Sequence, residues 1–100
     1  MKTPESYEKA DIKKYLDSIG AWHFSPYMAG FGKSGVPDIV FCYRGRFGTV
    51  EVKRNGKKPT KIQNIRMEEV RAAGGIAFWG TAGKVIPEII QWDMLLGVRL

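Results

Sequence analysis

The chain has 100 residues, of which 44% are hydrophobic and 26% charged; this length suits a single hydrophobic core, and the composition is ordinary for a globular protein. No apolar run approaches the roughly 20 residues of a membrane-spanning helix, and the single cysteine, Cys42, excludes an intramolecular disulfide and a cysteine-rich zinc site. Sixteen Lys and Arg against ten Asp and Glu leave a formal charge of +6, which favours a polyanionic partner, nucleic acid first.

In chain order, Thr3 and Pro4 suit the cap and first turn of a helix whose Ile12, Tyr15, Leu16 and Ile19 fall on one face, with Gly20 as its stop. Residues 21–27 are aromatic-rich and predict a strand, and Pro26 with the glycine-rich stretch 28–35 predicts a loop. Residues 38–43 and 47–53 are two β-prone runs separated by Arg44-Gly45-Arg46, a likeness to a hairpin. A basic loop, 54–61, leads to a helix carrying Ile62, Ile65, Met67 and Val70 and closed by Gly74-Gly75; a short strand at 76–79 follows. From Lys84 a last helix carries Ile86, Ile89, Ile90 and Leu96, with Pro87 tolerable only in its first turn. The order α-β-β-β-α-β-α, without repeats or linkers, predicts one α/β domain over 1–100 with a mixed central sheet flanked by helices.

Glu51-Val52-Lys53 puts a carboxylate and an ammonium on one side of a strand. Alone, the tripeptide reads as a solvent-facing pair worth little energetically. Asp38, which alone would serve equally well as a turn residue after Pro37, lies across the predicted hairpin from Glu51. Convergent carboxylates repel unless a cation sits between them, and hard oxygen ligands suit Mg²⁺ or Mn²⁺. With Lys53 to orient a water or to neutralise charge on phosphate oxygens, the set fits phosphodiester hydrolysis.

These residues resemble the PD-(D/E)xK nuclease superfamily, and more narrowly its virus-type replication-repair nuclease (VRR-NUC) family. The motifs are Glu8, Ser34-Gly35-Val36-Pro37-Asp38, Glu51-Val52-Lys53 and Pro59-Thr60-Lys61-Ile62-Gln63, in the family's order and over nearly the whole chain. The resemblance implies a restriction-endonuclease-like fold, Glu8, Asp38 and Glu51 as metal ligands, Lys53 on the attacking water, and Gln63 holding a water or phosphate beside it. Glu8 shares the helical face of Ile12, Tyr15 and Ile19; Glu5 competes for its role one turn earlier, and the family register favours Glu8.

Lys33, Ser34, Arg54, Lys57, Lys58 and Lys61 surround the expected site and are candidate DNA contacts. His23, the only histidine, is expected to be structural or DNA-facing, opposite Trp22 and Phe24 on a strand; Trp79 and Trp92 are expected in the core or an interface. So small a domain has little surface for base readout, so branched DNA, above all a four-way junction, is the expected substrate, cut by a homodimer matching its two-fold symmetry. Trp92, Met94, Leu95, Leu96 and Val98 serve either the dimer contact or the core. A flap or single-strand repair nuclease and a non-catalytic DNA-binding subunit are the alternatives. The lone cysteine and the absence of an apolar leader predict a cytoplasmic setting, in a bacterial cell or a phage-infected host.

Overall fold

The computed structural model describes residues 3–27 and 32–98. Among them the order is α1 (Pro4–Ser18), β1 (Trp22–Phe24), β2 (Ile39–Tyr43), β3 (Arg46–Val52), α2 (Lys61–Ala72), β4 (Ile76–Gly80) and α3 (Ala82–Val98). The strands form one sheet in the order β1-β2-β3-β4, antiparallel through the first three and parallel between β3 and β4. This is the α/β architecture with a mixed sheet that the sequence predicts.

Local chemistry sets the joints. Thr3 caps α1 by accepting from the Ser6 backbone N–H, and Pro4 occupies the first turn, where no intrahelical donor is needed. Arg44 and Gly45 both take positive φ, 52° and 78°, the left-handed pair that a two-residue hairpin turn requires to match the twist of its strands. Arg46, expected in the turn, is therefore the first residue of β3, paired with Tyr43.

The strand β3 is central and buried on both faces beyond its first two residues. Val50 and Val52 face a core built with Ile12 and Leu16 of α1, Ile39 and Phe41 of β2, and Val85 and Ile89 of α3. Strand alternation sends Phe47, Thr49 and Glu51 to the opposite face, where α2 covers β3 and β4. The Phe41 ring lies over Gly48, where an added Cβ would stand 2.1 Å from it, and packs against Phe78 and Trp92.

Three boundaries differ from expectation. The first strand covers only residues 22–24 of the expected 21–27, because its partner β2 offers three registered residues and Pro26 cannot donate to a ladder. Of the expected loop 28–35, residues 28–31 lie outside the described residues. The last helix starts at Ala82, where Thr81 caps it by accepting from the Lys84 N–H, so Pro87 lies in the helix interior rather than in its first turn. There the proline has no N–H to donate to the Gly83 carbonyl.

Candidate active site

The site gathers where β2 begins and β3 ends. Extending the hairpin register of Ile39 with Val50 sets Asp38 opposite Glu51. Just where the β2 backbone leaves the ladder, Asp38 takes its place: its Oδ2 accepts from the Val52 N–H at 2.8 Å. On the other side the Lys53 N–H donates to Gly80 of β4 at 2.9 Å. The Glu51–Lys53 segment is thus clamped from both flanks.

Glu51 is 3% exposed and hydrogen-bonds Asp38. Burial first, then the bond to Asp38 and the Asp38 charge, push its carboxyl from an ordinary 4.5 up to about 9; Lys53 opposes the shift and Glu5 adds to it. At neutral pH the pair therefore holds a proton between two carboxylates, the arrangement expected where like charges converge in a dry site. A divalent cation is the natural replacement for that proton, and the donor set suits Mg²⁺ or Mn²⁺, which take one or two carboxylates and keep waters for the remaining positions. Among the described residues no group of three or more His, Cys, Asp or Glu side chains converges.

The Ser34–Asp38 segment is held from α2. The Arg66 guanidinium donates to the Ser34 carbonyl at 2.8 Å and to both Glu69 carboxylate oxygens. Gly35 has φ 75°, and an added Cβ would lie 2.8 Å from Ile62, so glycine is required both for the turn and for the approach to α2. Gln63 lines a small cleft with Thr49 and Glu51, but its Oε1 accepts from the Thr60 N–H at 2.8 Å and completes a capping box with the Thr60 hydroxyl.

The two glutamates of α1 have different surroundings. Glu8 points at α3, where Oε1 accepts from the Ala82 N–H at 2.8 Å and so caps that helix's first turn. Glu5 is the one whose charge is felt at Glu51, and it shares a groove of about 380 Å³ with Lys53, Arg54, Lys57, Lys58 and Thr60. In this structure the Glu8 carboxylate is thus engaged with the first turn of α3, while Asp38 and Glu51 meet at the hairpin.

Of the expected DNA contacts, Arg54, Lys57 and Lys58 stand beside Lys53 and also line a second groove with Trp79 and Lys84. Lys33 lies 4.0 Å from Glu69 and borders a cavity of about 730 Å³ with Pro37, Arg46, Phe47 and Arg66. Lys61 faces outward on α2 with Asn64 and Glu68, apart from the others. His23 proves structural: Nε2 lies 2.6 Å from Asp17 Oδ1, tying β1 to α1. Trp92 is packed in the core, whereas Trp79 carries the Lys84 ammonium 4.0 Å above its ring. Sequence reading did not single out Arg66, although it stands one turn after Gln63 on the same helical face, a spacing that points to it.

A mixed sheet with an Asp at the head of one hairpin strand and Glu-x-Lys at the tail of the next defines a PD-(D/E)xK nuclease core. No protein-family model matches the chain. A solved structure titled "VRR_NUC domain" superposes on it with a TM-score of 0.76 and 26% identity, covering 90% of this chain and 97% of that one. The chain is thus similar in fold and sequence to a VRR-NUC domain over nearly its whole length.

Proposed function

We propose that this domain is a metal-dependent, structure-specific DNA endonuclease that cuts branched DNA as a homodimer, with the four-way junction as its substrate. The observation that carries the reading is the Asp38–Glu51 carboxyl pair with Lys53 two residues beyond Glu51. Mg²⁺ or Mn²⁺ held by Asp38 and Glu51 would polarise the scissile phosphate and acidify a water. Lys53 orients that water and neutralises charge developing on the phosphate oxygens. Asp38, held by the Val52 N–H, and Glu51, once deprotonated, would be the residues that hold the cation. Arg54, Lys57 and Lys58 hold the flanking phosphates. Glu8 would join Asp38 and Glu51 as a third ligand by releasing the Ala82 N–H, with Glu5 adding negative charge from the turn before it.

The homodimer is supported by Ile90, Met94 and Leu95, which α3 leaves exposed, while Trp92 and Leu96 are used in the core; the side chain of Val98 lies outside the described residues. Among the described residues no helix is long and apolar enough to cross a membrane. A cytoplasmic role in DNA repair fits an exposed, reduced Cys42.

The test is cleavage of end-labelled four-way junction, flap, duplex and single-stranded DNA with Mg²⁺, with Mn²⁺ and with EDTA. Paired, symmetric cuts in the junction that vanish with EDTA are expected. Asp38→Ala and Glu51→Ala should keep DNA binding and lose cleavage by about 10³-fold or more, and Lys53→Ala should slow it with metal binding kept. Cleavage by Asp38→Ala at the parent rate would overturn the assignment; cutting of flaps or single strands alone would replace the junction with a repair intermediate.

A further inference from the structure

On the sheet face that carries Glu51, α2 covers β3 and β4, and among the described residues no helix packs over β1 and β2. Register sets the side chains of that face. Trp22, Cys42 and Phe47 stand in one row, and Phe24, Val40 and Thr49 in the next. Trp22 is 67% exposed, Phe24 45% and Phe47 50%, and the Trp22 and Phe24 ring centroids are 5.4 Å apart. His23, between them, turns to the opposite face and binds Asp17, so the two rings are presented together outward. Burying them against the chain's own core would have been favourable, and the fold does not do so.

The row of Phe24 adjoins the site. Val40 faces Phe24 across the ladder, and Asp38 lies two residues before Val40 on the same face, which makes Phe24 and Asp38 diagonal neighbours about 7–8 Å apart. Cations border this face at two places: Lys33, Arg46 and Arg66 beside Phe47, and Arg54, Lys57 and Lys58 beside Lys53. Exposed rings between basic clusters, next to carboxylates that address a phosphate, match the two demands of an unpaired strand: cations for its backbone and flat apolar surfaces for its bases.

We infer that Trp22 and Phe24 form a stacking platform for unpaired bases next to the cut, so that the domain recognises a branch point by its unstacked bases. This rests on the nuclease reading for its location and deepens it by naming the feature recognised. Paired duplex, whose base faces are already stacked, gains nothing from the platform. A protein partner, or a second copy of this chain, is the competing occupant of the same rings.

The experiment measures binding in EDTA, where no cleavage occurs, of junction, flap and blunt duplex DNA, each with 2-aminopurine at the branch point or the equivalent paired position. It compares the parent, Trp22→Leu/Phe24→Leu and Trp22→Tyr/Phe24→Tyr, with circular dichroism to verify folding. The leucine variant should bind branched DNA roughly 10- to 100-fold more weakly, bind duplex as the parent does, and leave branch-point 2-aminopurine brighter than in the parent complex; the tyrosine variant should restore both. Unchanged branched-DNA affinity, or equal loss on duplex, would overturn the platform. So would sedimentation showing a dimeric parent and a monomeric leucine variant, which would make the rings a subunit interface. Because binding is read without cleavage, an inactive metal site would sink the nuclease reading and leave this result standing.

Discussion

Glu51 joins a buried acid to a nearby acid, and the consequence is a pH dependence with a definite sign. Its carboxyl is raised from 4.5 to about 9 in the fold, whereas the unfolded chain ionises it near the ordinary value. Between those limits the folded state holds the extra proton, so the stability associated with it is complete below pH 4.5 and is lost as pH rises through about 9. Thermal unfolding of the metal-free protein across that range should show the parent melting temperature falling relative to Glu51→Gln, which cannot ionise. Millimolar Mg²⁺ should flatten the fall, because the cation substitutes for the proton. Parallel curves for parent and variant would mean that Glu51 ionises normally. Thr49 lies beside this group with its hydroxyl buried and without a hydrogen-bond partner.

At the scale of elements, the site depends on one contact between a loop and a helix. Gly35 passes over Ile62 at the start of α2, and Arg66 of the same helix holds the Ser34 carbonyl. The Gly35→Ala substitution would impose a left-handed φ on a residue with a Cβ and press that Cβ onto the Ile62 backbone, 3.2 Å away. A loss of about 1–3 kcal/mol in urea unfolding is expected, with cleavage reduced further than stability accounts for, because Asp38 is carried on the same segment. The Thr60→Ala substitution, which removes the cap of α2, should cost about 1 kcal/mol. Stability unchanged in Gly35→Ala would mean that the loop can detach from α2 freely.

At the scale of the molecule, one sheet face is covered by α1 and α3 and the other only partly by α2. Among the described residues, the aromatics of β1 and, separately, the outer side of α3 with Ile90, Met94 and Leu95 are left exposed. These are different surfaces and lend themselves to separate tests. If α3 forms the dimer, Met94→Lys with Leu95→Lys should convert the species seen by sedimentation to a monomer without lowering the unfolding temperature by more than a few degrees, since both side chains face solvent. A dimer that survives both lysines places the contact elsewhere.

Much of the architecture was legible in the sequence because it is written in local chemistry. Thr3-Pro4 and Gly20 bound α1, Arg44-Gly45 closes the hairpin, and Gly74-Gly75 follows the end of α2. The hairpin register follows from the turn, and with it the approach of Asp38 to Glu51. The rest required the third dimension. Glu5 and Glu8 sit one turn apart on the same helix, and only the docking of α1 against α3 and β3 decides that Glu8 meets the Ala82 N–H while Glu5 shares a groove with Lys53. Trp22 and Phe24 look like ordinary strand aromatics until the width of α2's cover is known. Sequence by itself determined the order of the elements and which residues could meet across one turn, because those are set by backbone dihedrals and nearest neighbours. Tertiary structure alone decided which side chains are buried, bonded or bare, because that depends on what packs against them from far along the chain.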